Sequence, residues 1–412
     1  RETTAQVKIL PDIDQVLTGR YEDPLALRDV GLEDILDRPM ATIDVEACER
    51  LLANKVVLVT GAAGSIGSEL CRQILRFRPR SLLALDNNET GLYELDLELQ
   101  RHGPTPLQLI MADVTDRRKV TRVFRQFRPQ IVFHAAAYKH VPLLETCVDE
   151  ALRVNVLGTI IVSEAAREYQ AERLVFISTD KAVNPCSVMG ASKRIGELWI
   201  RAVSRGSDTV FTSVRFGNVM GSRGSVVPTF AQQIEMGGPV TVTHPDMARF
   251  FMSIPEAVSL VLQAAALATG NEIFMLEMGD EVSIMELARR MIRLRGLRVN
   301  KDIEVTFTGI RPGEKLHEEL VYAQEDVEET DHPLIYRLKR SDDALDCETL
   351  SSAVSILIED LHRDGMEQQA RDRLLQISCS SVERLVNQAV AWNLAARLPS
   401  TDELPSMPLS GD

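Results

Sequence analysis

The sequence lacks the features of membrane-spanning and nucleic-acid-binding proteins. No uninterrupted apolar run reaches the roughly 18 residues that a membrane-spanning helix needs. The nearest, residues 254–268, is interrupted by Pro255 and Glu256 and predicts an amphipathic helix. Basic residues are outnumbered, with 46 Lys and Arg against 60 Asp and Glu and a net charge of −14. This charge argues against a nucleic acid as partner, because a phosphate backbone is bound mainly by Lys and Arg.

Cysteines and aromatic residues are also scarce. The six cysteines show neither a paired framework nor the spacing of a metal site, which favours a reducing cytoplasm and predicts no metal. Aromatic residues make up 5% of the chain, hydrophobic residues 45%, and no internal repeat is found. At 412 residues the chain is too long to fold around one small core. We therefore expect a soluble α/β protein with one main domain and two appendages.

A glycine-rich turn follows the first strongly apolar run. Residues 56–59 have the composition of a buried parallel strand, and Gly61, Gly64 and Gly67 come directly after it. Glycines here allow close approach of a dinucleotide pyrophosphate, and a helix opening at Ser65 can hold phosphate oxygens with its first amides. The first interval is one residue longer than in the standard fingerprint, so a plain strand-to-helix turn stays an alternative.

An acidic residue ends the next predicted strand, residues 81–85. The carboxylate of Asp86 can accept both hydroxyls of an adenosine ribose and would repel a 2′-phosphate, which predicts NAD and not NADP. A solvated Asp at a strand end is the alternative.

Strands and helices then alternate along the chain. Further strands are predicted at 107–111, 131–135, 174–178 and 212–216, with a helix over 116–126. This order predicts a Rossmann-like, doubly wound parallel sheet with ligands at the carboxyl ends of its strands. Residues at those ends are expected to border the cofactor, although each alone is more often a packing residue. They are Asp113 and Val114 beside the adenine and Ala135, Ala136 and Ala137 along the backbone.

The most informative stretch is 178–181, which contains Asp180 and Lys181 and is followed by Met189 and Lys193. It looks like a short-chain dehydrogenase site in which Met189 replaces the Tyr of Tyr-x-x-x-Lys. A thioether has no ionisable proton, so it cannot take the proton that an ordinary alcohol oxidation sheds. Asp180 beside Lys181 supplies a carboxyl group and an amine, the acid and base that eliminating water from a sugar requires. An ordinary exposed Asp-Lys pair is the alternative.

With these residues, the stretch from Lys55 to Leu320 resembles the extended short-chain dehydrogenase/reductase family. Within that family it resembles the bacterial UDP-N-acetylglucosamine 4,6-dehydratases of polysaccharide and glycan biosynthesis. Beyond the glycine turn, six motifs carry the resemblance: residues 134–142, 155–159, the pair 179–181 with 189–193, 215–219, 249–252 and 311–315. Met in place of Tyr is characteristic of the large, membrane-anchored members.

The resemblance implies a role for each matching residue. NAD, tightly bound and recycled, would contact the glycine turn, which includes Ile66. Lys181 would remove the proton at C5, while Asp180 protonates the departing 6-hydroxyl. Thr179 would bond near the C4 hydroxyl, Lys193 would hold the nicotinamide ribose as a cation, and Asn155 would order water or backbone behind Lys193. Whether Asp180 and Lys181 rest as an ion pair or as a neutral pair is left open, since both forms hold the same protons.

Substrate contacts are expected from the second half of the fold. Guanidinium groups suit a diphosphate, which favours Arg249 and Arg311, although a surface salt bridge is the alternative for each. By resemblance, Glu314 would bind the uridine ribose and Asn218 the sugar-diphosphate region. The expected lining of the sugar pocket is Tyr138, Lys139 and His140, of which His140 is equally compatible with a structural role.

Four regions are predicted: a connector over 1–54, an NAD-binding core with a nucleotide-sugar region over 55–340, helices over 341–398 and a disordered tail over 399–412. Ser380 and Glu383 form a capping box, and the apolar faces of the helices are expected to pack on the chain's own body or on a second subunit. The resemblance implies a homodimer or higher oligomer, a missing N-terminal membrane domain, and a place in the cytoplasm or on the cytoplasmic face of the inner membrane.

Two other functions are weighed. A UDP-sugar 4-epimerase or ketoreductase shares the fold, but neither reaction needs water to leave. A non-catalytic NAD-binding regulatory protein would have no use for an acid and base side by side. For the dehydratase we expect retention at C5, although the sequence leaves retention or inversion, the preferred acyl sugar, the oligomer size and the acceptor of the C4 hydroxyl proton open.

Overall fold

A computed structural model describes residues 8–9, 28–29, 42–101, 105–340, 347–361 and 367–379. Its strands, in chain order, are β1 Lys8–Ile9, β2 Arg28–Asp29, β3 Val56–Thr60, β4 Ser81–Asp86, β5 Leu107–Met111, β6 Ile131–His134, β7 Arg173–Ile177, β8 Val210–Arg215, β9 Asn218–Val219, β10 Val240–Val242, β11 Ala248–Arg249, β12 Phe251–Met252, β13 Glu272–Leu276, β14 Val282–Ser283, β15 Val305–Phe307, β16 Glu325–Glu329 and β17 Ile335–Arg340.

A nine-stranded sheet forms the centre of the molecule, in the order β16-β17-β13-β8-β7-β6-β3-β4-β5. The strands from β13 to β5 run parallel, and β17 and β16 add an antiparallel edge. The chain reverses direction across the sheet between β3 and β6, the switch point at which such sheets bind ligands. The predicted doubly wound fold is confirmed, and the six strands predicted from apolar runs occur within two residues of their predicted starts.

Helices cover both faces of the sheet, which is why β3 and β6 are buried along their whole length. The helices are α1 Val45–Leu52, α2 Ser65–Arg76, α3 Glu89–Gln100, α4 Arg117–Phe127, α5 Val141–Leu144, α6 Val148–Glu150, α7 Gly158–Glu168, α8 Val188–Val203, α9 Val226–Glu235, α10 Ile254–Leu267, α11 Ile284–Leu294, α12 Cys347–Leu361 and α13 Glu367–Cys379. A π-helical turn over 151–157 joins α6 to α7.

One face of the sheet is covered by α1, α2, α3 and α10, the other by α4, α7 and α8. Helix α10 is the stretch predicted to be amphipathic. Most of its residues are buried, because it lies between the sheet on one side and α1 and α2 on the other. Cys48 and Leu52 of α1 are fully buried, so this part of the expected connector packs on the core.

The C-terminal helices pack on the body of the same chain. Leu350, Val354 and Leu357 of α12 are buried as their spacing predicts, and α12 and α13 both contact α8. The predicted capping box at Ser380 and Glu383 and the tail over 399–412 lie outside the described residues, as does most of the connector. The division into four regions stays a prediction.

A smaller unit lies beyond the carboxyl ends of the parallel strands. It consists of α9, α11 and the short pairs β10 with β15, β11 with β14 and β9 with β12, around a separate apolar core that contains Phe230 and Leu287. Within the described ranges, no helix combines the length and apolarity that crossing a bilayer requires.

Candidate active site

The glycine turn lies at the switch point, against the backbone that follows β6. Gly61 has a φ of +70°, and a Cβ there would lie 2.6 Å from the amide nitrogen of Ala136. A Cβ at Gly67 would overlap the carbonyl oxygen of Gly61. Gly64 caps α2 without any side chain over the first amides of the helix, which start at Ser65. The local sequence thus brings bare backbone to a helix N-terminus, an arrangement suited to phosphate oxygens.

Asp86 is fixed at the end of β4 beside this turn. Its Oδ2 accepts a hydrogen bond from the amide of Ala63 at 2.9 Å, and its Oδ1 accepts one from Asn88 at 2.9 Å. Each carboxylate oxygen has a further lone pair, so both remain able to accept from a ribose hydroxyl.

Of the two residues predicted to lie beside the adenine, Asp113 is partly exposed and Val114 is buried. Asp113 accepts hydrogen bonds from Thr115 and from Nη1 of Arg153, at 3.1 Å. Burial raises the pKa of Asp113, but these bonds outweigh it and the net pKa lies below its ordinary value. Val114 is buried against Gly158 and contributes packing.

Asn155 joins the segment after β6 to the helix that carries Lys193. Its side chain is fully buried, accepts a hydrogen bond from the Tyr138 amide at 2.8 Å and donates to the Tyr138 carbonyl and to Oγ of Ser192, both at 2.9 Å. Asn155 therefore orders the backbone at Tyr138 next to the helix that carries Lys193.

Asp180 and Lys181 lie in a 3₁₀ turn after β7, capped by Thr179. Asp180 is fully buried; its Oδ1 accepts from the Thr179 hydroxyl at 2.8 Å and from Nζ of Lys181 at 3.0 Å. Its Oδ2 is buried and has no partner among the described residues, and a Cβ at Gly217 would lie 3.3 Å from it. An exposed surface pair is excluded, and one carboxylate oxygen remains available for a substrate proton.

Lys181 is held by three acceptors. Nζ donates to Oδ1 of Asp180 and to Oδ1 of Asn218 at 2.9 Å, and Oε1 of Glu318 lies 3.6 Å away. Burial lowers the pKa of Lys181, but the carboxylates of Asp180 and Glu318 raise it by more, so its net pKa lies above the ordinary value. The geometry is that of an ion pair, with Nζ of Lys181 3.0 Å from Oδ1 of Asp180.

Glu318 was missed by the sequence analysis. It follows the predicted motif over 311–315, and its side chain is 4% exposed between Lys181 and Arg249. Arg249, predicted to bind a diphosphate, donates instead to the carbonyls of Ala248, Lys315 and Leu316 at 2.6 to 2.9 Å. Its guanidinium thus donates three hydrogen bonds to backbone carbonyls, two of them in the segment that carries Glu318, which leaves little of it for a phosphate.

Lys193 is buried, which excludes a surface lysine. Its Nζ lies 4.3 Å from the centroid of the Phe176 ring. Burial lowers the pKa of Lys193 to about 7, against the opposing effect of Glu197. His134, stacked on the other side of this cluster against Phe176, is buried between the hydroxyls of Thr60 and Thr159, and burial lowers its pKa to about 3. Lys193 is therefore only partly charged near neutral pH until an electronegative ligand approaches.

Met189 lies at the start of α8, 5% exposed and within the main apolar cluster. A Cβ at the next residue, Gly190, would overlap the carbonyl oxygen of Lys181, so α8 packs directly on the 180–182 turn. The methionine fills space at this junction.

A buried ionic network contacts the residues on both sides of Asp180 and Lys181. Glu197 of α8 accepts from Ser178 at 2.7 Å and from Arg215 of β8 at 2.6 and 2.7 Å, and Arg215 also donates to Glu325. Tyr322 completes the link, because its hydroxyl donates to the carbonyl of Ala182 at 2.7 Å. None of these charges was assigned a role from the sequence.

The remaining predicted substrate residues differ in their contacts with the 180–182 turn. Asn218 contacts Lys181 directly. Arg311 is exposed, and its guanidinium has no hydrogen bond or ion pair within the described part of the chain, while Oε2 of Glu314 accepts from its amide at 3.3 Å. On the other side, Lys139 donates to Ser222 at 3.3 Å and His140 lies against Gly224.

The segment that contains Ser222 and Gly224 crosses toward the glycine turn, a contact that the sequence analysis did not anticipate. Arg223 donates from its amide to Oγ of Ser65 at 3.3 Å and from Nη1 to the Ala63 carbonyl at 3.4 Å. Tyr138, which precedes Lys139 and His140, is 42% exposed. The predicted sugar-pocket residues therefore lie beside the predicted cofactor turn.

Comparison with known sequences identifies relatives of this chain. A family model described as polysaccharide biosynthesis protein matches residues 57–340. The chain is 46% identical over 372 residues to the capsular polysaccharide biosynthesis protein CapD of Staphylococcus aureus, which covers 90% of this chain. The chain spans 60% of the length of that relative.

Two solved structures show the same architecture. Pen from Bacillus thuringiensis has a TM-score of 0.66 and 32% identity, covering 70% of this chain and 89% of that one. The UDP-glucose 4-epimerase of Thermus thermophilus, solved in complex with NAD, has a TM-score of 0.57 and 28% identity, covering 65% and 90%.

Proposed function

The chain belongs to the polysaccharide biosynthesis protein family within the extended short-chain dehydrogenases/reductases, and on this premise we propose that it is an NAD-dependent UDP-N-acetylglucosamine 4,6-dehydratase. The product would be a UDP-4-keto-6-deoxy-N-acetylhexosamine for polysaccharide or glycan biosynthesis. The observation that carries the proposal is the buried Asp180–Lys181 pair, placed at the end of β7 beside Met189 in the position of the usual tyrosine.

The cofactor is NAD, as in the complex of the Thermus epimerase. The residues fit it: Gly61 and Gly67 leave bare backbone at the N-terminus of α2, and the Asp86 carboxylate beside this turn would accept the ribose hydroxyls and repel a 2′-phosphate. The bound cofactor would supply the hydride acceptor for C4 of the sugar and the hydride donor for C6. Lys193 would donate to the nicotinamide ribose.

The proton transfers fall to the chain's own residues. We assign the C4 hydroxyl proton to Asp180, whose Oδ2 has no hydrogen-bond partner in the described part of the chain, with Thr179 positioning the carboxylate through its bond to Oδ1. Lys181 would remove the C5 proton once a 4-keto group has acidified it, and Asp180 would deliver its proton to the departing 6-hydroxyl. Asn218 holds Lys181 in place through the bond to Nζ.

For substrate binding, Arg311 is the better diphosphate candidate, since it is exposed and its guanidinium makes no hydrogen bond or ion pair with the described residues, whereas Arg249 holds backbone carbonyls. Glu314 beside Arg311 would take the uridine ribose, and Tyr138, Lys139 and His140 would border the sugar.

A 4-epimerase is the activity named for the Thermus structure. It would release no hydroxyl group and would need no acid for one, so its product would keep the 6-hydroxyl that a dehydratase removes. Product analysis with UDP-N-acetylglucosamine therefore tests the proposal.

Asp86→Ala is expected to weaken the retention of NAD, because it removes the carboxylate that accepts the ribose hydroxyls. Wild-type protein should carry NAD through purification and turn over without added cofactor. NAD content after extensive dialysis, measured by absorbance of the acid-released nucleotide, checks this. Asp96→Ala is the matched control, since the Asp96 carboxylate accepts a hydrogen bond from Gln100 of its own helix, four residues further along α3. Equal NAD content in both variants would contradict the role of Asp86.

Met189→Leu is expected to keep at least about a tenth of wild-type activity, because leucine has a similar volume and the methionine only fills space at the α8 junction. Steady-state turnover, with a thermal melt to confirm the fold, is the measurement. A folded but inactive variant would show that the sulfur takes part in the reaction.

A further inference from the structure

The Glu318 carboxylate is buried beside the proposed catalytic base and has no role in the reaction described above. Its Oε1 lies 3.6 Å from Nζ of Lys181 and 3.8 Å from Nε of Arg249. We propose that Glu318 stores the proton that Lys181 must give up before it can act as a base, which leaves Asp180 free to accept the C4 hydroxyl proton. This inference rests on the proposed dehydratase function.

The need for a second carboxylate follows from the proton count. Lys181 rests as an ammonium between Asp180 and Glu318 and cannot remove a proton in that form. If Asp180 accepted the Lys181 proton, it would already be a carboxylic acid when the C4 hydroxyl has to lose its own. One carboxylate cannot hold both protons, and Glu318 is the other carboxylate that forms an ion pair with Lys181.

Charge balance allows the transfer within a closed site. Asp180, Lys181, Glu318 and Arg249 together carry no net charge at rest. Moving one proton from Lys181 to Glu318 leaves Asp180 negative and Arg249 positive, so the sum stays zero and no exchange with solvent is required. Arg249 favours Glu318 as a carboxylate at rest, which agrees with the ion pair seen in the structure without a substrate.

The complete cycle returns every proton. Asp180 takes the C4 hydroxyl proton, and neutral Lys181 takes the C5 proton as the C5–H bond breaks. Asp180 then protonates the 6-hydroxyl, whose bond to C6 breaks to release water. As C6 receives the hydride that was removed from C4, Lys181 returns a proton to C5 from the same side, which retains the configuration there. Glu318 finally returns the stored proton to Lys181.

Arg249 also positions Glu318. Its bonds to the carbonyls of Lys315 and Leu316 fix the backbone just before Glu318. Cys186, from the loop before α8, is a further titratable group near Glu318; burial raises the pKa of its thiol, and Glu318 adds to that shift. A change at Glu318 therefore acts directly on Lys181, Arg249 and Cys186, and on Asp180 through Lys181.

Glu318→Gln tests the proposal, since it keeps the shape of the side chain but cannot store a proton. We expect kcat to fall by about 10²-fold, within the range of a positioned acid or base, with KM little changed. Wild-type kcat should vary little from about pH 6 to about pH 9, because the proton stays in the site. In Glu318→Gln, kcat should rise with pH, because Lys181 must lose its proton to solvent. Removing the negative charge of Glu318 also lowers the pKa of Lys181. Part of the rise in kcat should therefore occur between about pH 6 and about pH 9.

Glu318→Asp keeps a carboxylate and should exceed Glu318→Gln by about tenfold in kcat. Glu319→Gln is the control, because that neighbouring carboxylate is half exposed and contacts Asn184 and Lys315. A Glu318→Gln variant with wild-type kcat, or with a reduced kcat that keeps the wild-type pH dependence, would overturn the proposal. Absence of dehydration by the wild-type protein would instead contradict the proposed function, so the two failures are distinguishable.

Discussion

Replacing Lys181 by Met is expected to lower the rate of dehydration by about 10²-fold or more, because no other amine approaches the Asp180 carboxylate in the described part of the chain. Substrate binding should largely survive, since Met keeps the length of the side chain. In deuterated water, the wild-type product should gain deuterium at C5, and the variant should lose this exchange together with turnover.

Rates measured by NMR and binding measured by calorimetry separate the two possible roles of Lys181. Lys339→Met on the exposed hairpin of β16 and β17 is the control, and it should leave both quantities unchanged. If Lys181→Met abolishes binding while saturated enzyme turns over at the wild-type rate, Lys181 is a binding residue.

Asp180→Asn should lose about as much activity, because an amide keeps the bond from Thr179 but can neither accept nor deliver a proton.

Glu197→Gln is expected to destabilise the fold by about 3 to 5 kcal/mol, the usual cost of breaking a buried ion pair from one side. Its side chain is fully buried and accepts hydrogen bonds from Ser178, Arg194 and Arg215. Without the carboxylate, two buried guanidinium groups lose an anion. Urea unfolding at neutral pH measures the difference. Glu235→Gln, which breaks an exposed pair with Arg295, should cost less than about 1 kcal/mol.

The same residue predicts a pH dependence of stability. Burial raises the pKa of Glu197, but Arg215 and the other donors outweigh it and lower the net pKa to about 2. Since the folded pKa lies below the unfolded value of about 4.3, Glu197 stabilises the fold above that value, and the contribution is lost as the pH falls toward about 2. Glu197→Gln should therefore lose less stability than wild type over this acidic window. An equal loss in both proteins would show that Glu197 is not the group responsible.

The sheet was predictable from the sequence because its signals are local. Apolar runs of strand length, the glycines at 61, 64 and 67 and the acidic residue at 86 each mark one strand or its end, and parallel strands bring their ends to one edge. The closeness of Asp180 and Lys181 follows from adjacency in the chain. The features of the site that depend on strand order and on local chemistry could therefore be predicted from the sequence alone.

The supporting charges could not be derived, because their partners are distant in sequence. Glu197 and Arg215 resemble ordinary solvated residues on a helix and a strand, and only the packing of α8 on the sheet buries them together. Glu318 follows a recognised motif without belonging to it. Arg249 was expected at a diphosphate, but its guanidinium satisfies backbone carbonyls that no periodicity reveals.

The state of Lys193 likewise depends on burial. The resemblance implies that Lys193 acts as a cation, and burial over Phe176 lowers its pKa to about 7 in the absence of a ligand. A lysine in this state gains charge when ribose oxygens and substrate approach, so its contribution is tied to ligand binding.

One measurement tests the central claim most directly: incubation of the purified protein with UDP-N-acetylglucosamine, without added NAD, followed by NMR of the product. The proposed dehydratase predicts loss of the C6 methylene signals and appearance of a C6 methyl group beside a C4 ketone. A 4-epimer that retains the C6 hydroxyl, or substrate returned unchanged by protein that carries NAD, would contradict it.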